Sequence, residues 1–233
     1  MTEIEPLYDK KYECHICSNK FHSKKIRTRF VKLESTDTDF CPTYTDPENN
    51  PILYQIIVCP SCGYSFSEDF SNYFSYGTKE AIQDKVCSKW NPHHFSDKRS
   101  IEDAIKTYKL AIYCATLKQE KHIILAGLYI KLTWLYRYLG NDTQEQRFMN
   151  IALQEYFYSY TTQDFQGTQV SEIRVLYLLG ELSIRTGNIK DASVHFSKVI
   201  EQQKKTTESR LVEMAKDRWN EVRHTKEFQL STN

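Results

Sequence analysis

Two identical cysteine spacings constrain this chain more than any other feature. Cys14-His15-Ile16-Cys17 and Cys59-Pro60-Ser61-Cys62-Gly63 are both C-x2-C pairs. Two residues between thiols let one tight turn aim both sulfurs at a single ion. Two such turns supply the four-thiolate tetrahedron that structural Zn2+ prefers. Cys14, Cys17, Cys59 and Cys62 are therefore the expected ligands of one structural Zn2+ per chain. A rubredoxin-like iron site is the minor alternative. Two pairs of buried free thiols would explain neither the equal spacings nor the polar flanks of the first pair. Gly63 suits the turn after the second pair, whereas Ser18 takes that place after the first and is less suited to it. Four protein ligands leave no open coordination position, so a metal-activated water is not expected.

The pairs are separated by residues 18–58, which is longer than the common spacing of roughly 15–20 residues. Ile26–Leu33 alternates like a half-buried strand, and Leu53–Val58 reads as a second strand. These two would form the ribbon, with the proline-containing stretch 35–51 as a long loop between them. A module of this size has little core, so metal coordination would supply much of its stability.

From about residue 78 the texture changes. Apolar residues recur at helical spacing over Ile101–Leu117, Leu125–Leu139, Glu145–Tyr160, Val170–Arg185, Asp191–Gln203 and Ser209–Arg223. A further helix over Thr78–Trp90 should end before Asn91-Pro92. Gly140-Asn141 and Gly187-Asn188 each follow a helix as a stop signal. Leu176, Leu179, Gly180, Gly187, Ala192 and Phe196 fall at tetratricopeptide spacing, and Tyr129, Leu132, Tyr136, Gly140, Met149 and Ala152 take matching places. The expected fold is α+β and mostly α. A small zinc-ribbon-like β head over 1–77 precedes a helical, tetratricopeptide-like hairpin array over 78–233. An ordinary helical bundle is the plainer alternative.

Charge and targeting signals exclude little else. The formal net charge of +1 gives no global pull toward nucleic acid or membrane. MTEIEPLYDK has no apolar leader, and the longest apolar run, Ile123–Ile130, falls far short of the roughly 20 residues that span a bilayer. A cytoplasmic placement without membrane contact is the expectation, and reduced thiols there favour metal over disulfides. Locally, Lys20, Lys24, Lys25, Arg27, Arg29 and Lys32 form a basic strand, followed by Glu34, Asp37, Asp39, Asp46 and Glu48. The basic half could contact phosphates, with Phe21 and Phe30 for stacking. The preferred reading is that the acidic loop folds back on the basic strand and cancels it. Asp37 and Asp39 read as turn residues. Cys41, Cys87 and Cys114 read as packing residues.

The residues from Cys14 to Tyr64 carry a resemblance: Cys14-x-x-Cys17, Phe21, Lys24-Lys25-Ile26-Arg27, Asp37-Thr38-Asp39-Phe40, Tyr44, Asn50-Pro51, Tyr54 and Val58-Cys59-Pro60-Ser61-Cys62-Gly63-Tyr64. In these the chain resembles a bacterial family catalogued as domain of unknown function 2225. The resemblance implies a zinc-ribbon-like head, a helical repeat body and a bacterial cytosolic setting. It implies no activity.

No Gly-rich phosphate loop, G-x-S-x-G elbow or H-E-x-x-H helix occurs, so no catalytic signature is found. The leading expectation is a non-enzymatic module that holds a protein or peptide. The first helices of the two hairpins would line its groove through Trp134, Arg137 and Tyr138, and through Arg174, Tyr177 and Arg185. The arginines suit an acidic ligand. A nucleic-acid-associated protein using Lys20–Lys32 is the alternative. An enzyme acting at the cleft between head and helices is the weaker one.

Overall fold

The computed structural model describes residues 4–231; the side chains of Val222 and of 224–231 lie outside that description. The fold is α+β and mostly α, as expected. Among the described residues the strands form three two-stranded antiparallel hairpins: β1 (Leu7–Glu13) with β2 (Lys20–Ile26), β3 (Leu33–Thr36) with β4 (Pro42–Tyr44), and β5 (Ile57–Val58) with β6 (Ser65–Phe66). Seven α-helices follow among the described residues: α1 (Thr78–Lys85), α2 (Ile101–Lys118), α3 (His122–Tyr138), α4 (Asp142–Thr162), α5 (Glu172–Arg185), α6 (Ile189–Glu201) and α7 (Ser209–Ser231). None is long and apolar enough to cross a membrane.

The expected ribbon strands are corrected. Each C-x2-C pair sits at the tip of its own hairpin, between β1 and β2 and between β5 and β6. The alternating run at Ile26–Leu33 is broken by a 3-10 turn at Thr28–Phe30, and the run at Leu53–Val58 is split between another 3-10 turn, Pro51–Tyr54, and the short strand β5 at Ile57–Val58. Asn50 caps the second of these turns by accepting from the Ile52 amide at 2.9 Å, with Pro51 preset for the first helical position. The strand missed in the sequence, β1, carries four charged residues among its seven positions Leu7–Glu13, namely Asp9, Lys10, Lys11 and Glu13, and two of them meet opposite charges across the hairpin, Asp9 opposite Lys24 and Glu13 opposite Lys20.

The Gly-Asn pairs each do two jobs. Gly140 and Gly187 take left-handed conformations, with φ of 64° and 83°. The amides of Asn141 and Asn188 reach back to Tyr136 O and Ser183 O, closing both helices in Schellman turns. The two Asn side chains then accept from the Gln144 and Asp191 amides and so cap α4 and α6. This produces two like hairpins, α3–α4 and α5–α6. In the second, a Cβ on Gly180 would stand 2.7 Å from the Phe196 ring, so the glycine is what admits that aromatic between the helices.

Helix α1 ends at Lys85, short of the expected Trp90, and a 3-10 turn at Cys87–Lys89 delivers Trp90 toward the head. One apolar core runs unbroken from Phe21, Ile56 and Tyr64 in the head through α2 and α3 to Leu179 and Leu182 of α5. A second cluster, including Tyr177, Phe196 and Leu211, joins α5, α6 and α7. Arg99 ties the head to the start of α2. It is buried and, among the described residues, donates only to neutral oxygens: Phe95 O, Leu53 O, Ile56 O and Ser23 Oγ. Burial without a carboxylate partner lowers its pKa to about 10.

Candidate metal centre and the clamped acidic loop

Both cysteine turns follow one plan. The Ser18 amide donates to Cys14 O and the Gly63 amide to Cys59 O, each at 2.9 Å. The Cys14 amide returns to Asn19 O and the Cys59 amide to Tyr64 O. The residue after each pair is left-handed, Ser18 at φ 59° and Gly63 at φ 73°. That conformation suits Gly63 and strains Ser18. Gly63 also has no room for a side chain, because a Cβ there would stand 2.3 Å from the Trp90 ring. Trp90 fixes the same turn from its indole, donating Nε1–H to Pro60 O at 2.9 Å. Sequence reading did not assign Trp90 to the site. Its signal was its place just before Asn91-Pro92, where the chain must leave helical geometry.

The four predicted ligands come together. Single ligand atoms of Cys14, Cys17, Cys59 and Cys62 all lie within 4.8 Å of one another, so the set could hold a metal ion. The Cys14 and Cys62 sulfurs are 3.5 Å apart and those of Cys17 and Cys59 3.6 Å. Cys14, Cys59 and Cys62 are buried and Cys17 faces out. The Ile16 amide points at the Cys14 sulfur. Hydrogen bonds from Cys14 and then Cys62 favour the Cys59 thiolate and lower its pKa, and the same contact with Cys59 raises that of Cys14. Four crowded thiols thus share charge poorly on their own, which is the donor set a divalent soft-to-borderline cation satisfies. Cys41 and Cys114 are buried elsewhere, while the half-buried Cys87 stands beside Cys62 without belonging to the set of four.

The acidic stretch does not pair with the basic strand. Lys24 and Lys25 are held by Asp9 and Glu68, and Lys20 lies within reach of Glu13. The turn between β3 and β4, Asp37–Cys41, instead lies across the first helices of the two hairpins. Asp39 is fully buried. It accepts from Arg137 Nη2 at 2.7 Å, Arg137 Nη1 at 3.0 Å and Trp134 Nε1 at 3.1 Å. Asp37 accepts from Arg185 Nη2 at 2.8 Å and Arg137 Nη1 at 3.0 Å. Between them, Thr38 O accepts from the Tyr177 hydroxyl and Thr38 Oγ1 donates to Glu181. Phe40 packs 5.3 Å from the Tyr177 ring, with the Arg174 guanidinium 4.9 Å over its face. Tyr138 donates to Pro42 O at 2.6 Å.

Trp134, Arg137, Tyr138, Arg174, Tyr177 and Arg185 therefore do gather on one face and do contact an extended acidic segment. That segment belongs to this chain. The sequence expectation of an open groove is corrected on this point, because residues 37–42 fill it. Asp37 and Asp39 are also more than turn residues, although Asp37 does accept from the Thr38 amide and Asp39 from the Cys41 amide. Glu181, buried on α5, completes the network by accepting from Arg185 and Arg218. Burial alone would lower the pKa of Arg137, but its bonds to Asp39 and Glu145 outweigh that and raise it.

These features define a class: a small head with a four-thiolate cluster, clamped by its own acidic turn to a body of helical hairpins. The chain belongs to the family described as an uncharacterized protein conserved in bacteria (DUF2225), whose model matches residues 7–222. No curated protein and no solved structure matches it.

Proposed function

We propose that this chain is a zinc-stapled, non-catalytic binding module of the bacterial cytoplasm. The observation that carries the reading is the closed set of four sulfurs at the tips of two hairpins. Zn2+ there would be a structural ion, with Cys14, Cys17, Cys59 and Cys62 filling its coordination and leaving no place for a reacting water. A reducing compartment would keep all four thiols available to it.

The clamped turn supports the interaction part of the proposal. The first helices of the tetratricopeptide-like hairpins recognise an extended acidic segment through bidentate arginine and aromatic contacts, and they do so in cis. Head and body would then offer a protein or peptide partner one preset surface, so that little ordering cost attends binding. The nucleic-acid reading has less support, since Lys20, Lys24 and Lys25 already face acids of the head. The test combines metal and partner. Co2+ substituted into the purified chain should give a tetrahedral tetrathiolate spectrum, lost in Cys62→Ser. Partner capture from native cytosol should be lost in the same variant. Absence of any bound metal in a folded head, or capture indifferent to Cys62→Ser, defeats the proposal. Salt-dependent binding of nucleic acid with no protein captured would favour the alternative.

A further inference from the structure

A second site lies where the head meets the helices, away from the cysteines and from the clamped turn. A cleft of about 400 Å³ opens between α3, the segment that follows β6 and the approach to α5, lined among others by Asp69, Ile124, Gly127, Leu128, Lys131 and Val170. That volume falls within the range of small-molecule sites, roughly 300–1,000 Å³. Ile124, Gly127, Leu128 and Lys131 stand at i, i+3, i+4 and i+7, so one face of α3 forms the floor.

Two features of this floor have no explanation within the fold. The first is Gly127. Glycine inside a helix is unfavourable, and it is normally tolerated where a neighbour approaches closely. Gly180 has that reason in Phe196, whereas a Cβ on Gly127 would meet nothing within 4 Å. The glycine keeps space that the protein itself does not use. The second is Lys131. It is half-buried, yet among the described residues its ammonium makes no hydrogen bond and no ion pair. Lys118, the buried lysine on α2, shows the contrast, being held by Glu120 and Ser71 O. Desolvation lowers the Lys131 pKa, and the field of Asp69 works against that shift. Across the cleft stands Asp69, an exposed residue whose carboxylate, among the described residues, accepts no hydrogen bond and forms no ion pair with Lys131.

We propose that this cleft binds a small zwitterion with an apolar side chain, of which the apolar α-amino acids are the simplest members. The ligand carboxylate pairs with Lys131, its ammonium with Asp69, and its side chain lies over Gly127 against Ile124, Leu128 and Val170. Opposite charges that line one cleft without touching are complementary to a ligand carrying both. A simple anion would meet Asp69, and a simple cation would meet Lys131. The assignment goes beyond the binding-module reading and does not depend on the metal.

The test is calorimetric titration of the full, metal-quantified chain with L-leucine, beside 4-methylpentanoate, leucinamide and glycine. These lack the ammonium, the carboxylate and the side chain respectively. Leucine should bind, and each truncated probe should bind about tenfold more weakly or worse, 4-methylpentanoate and leucinamide through the loss of one charge-assisted contact and glycine through the loss of apolar burial. Lys131→Met and Asp69→Asn should weaken leucine to a similar degree while leaving the melting temperature of the free chain near that of the parent. Gly127→Ala should raise the melting temperature and weaken leucine together, which a purely structural glycine would not do. No leucine binding at millimolar concentration overturns the assignment. So does binding that survives all three substitutions, or a 4-methylpentanoate affinity equal to that of leucine.

Discussion

Removing the Asp39 carboxylate should be among the most damaging single changes available outside the cysteines. In Asp39→Ala, Arg137 loses two charge-assisted bonds of 2.7 and 3.0 Å, and the Trp134 indole and Cys41 amide lose their acceptors. Breaking one side of a buried pair costs about 3–5 kcal/mol, because the surviving charge stays desolvated. Arg137 is about one-fifth exposed and keeps Glu145 and Asp37, which places the expectation near about 3 kcal/mol at the lower end of that range. For a chain of this size that is a fall of about 6–12 °C in melting temperature. Urea unfolding of zinc-saturated protein should show the lower midpoint with an unchanged slope. A double-mutant cycle with Arg137→Met should return a coupling of about 1–3 kcal/mol. A loss below about 1 kcal/mol for Asp39→Ala, or strict additivity in the cycle, would refute the view that this turn clamps head to body.

Other expectations follow from single contacts. Ser18→Gly should stabilise the zinc-loaded chain by about 1 kcal/mol, since glycine removes the left-handed strain at φ 59°, and a lower unfolding midpoint would contradict this. Gly180→Ala should cost about 1–3 kcal/mol by forcing the Phe196 ring from its seat, measured by thermal unfolding. Burial alone would raise the Glu68 carboxyl, but hydrogen bonds from Lys10 and Lys25 outweigh it and bring it down from an ordinary 4.5 to about 2. A carboxyl depressed on folding stabilises above its unfolded value and loses that contribution as the pH falls through the window from 4.5 toward about 2. Glu68→Gln should therefore show a shallower acid loss of stability than the parent, and identical profiles would refute the pairing.

What the sequence disclosed was local. Both cysteine turns and both Gly-Asn junctions are fixed by residues within a few positions of one another, and each was readable from spacing and conformational preference alone. The clamp was half-readable. The register on Gly140 and Gly187 collected Arg137, Trp134, Tyr177 and Arg185 on one face and suggested an acidic ligand, but Asp39 pairs with an arginine 98 positions away. No local rule chooses between that partner and the nearer basic strand. The strands failed for a related reason. A two-stranded hairpin with one face to solvent can be built from charged residues if the cross-strand partners match, so β1 carries little apolar signal. The alternation at Ile26–Leu33 matched a period, but the chain turns at Thr28–Phe30. Lys131 and Gly127 gave no sequence signal at all, since their interest lies in what is missing around them.

The four cysteines are open to X-ray absorption at the zinc edge of the purified chain. The expected result is one zinc per chain with four sulfur neighbours at about 2.3 Å and no lighter ligand. Nitrogen or oxygen in the first shell, or zinc well below one per chain in a protein whose head is folded, would contradict it.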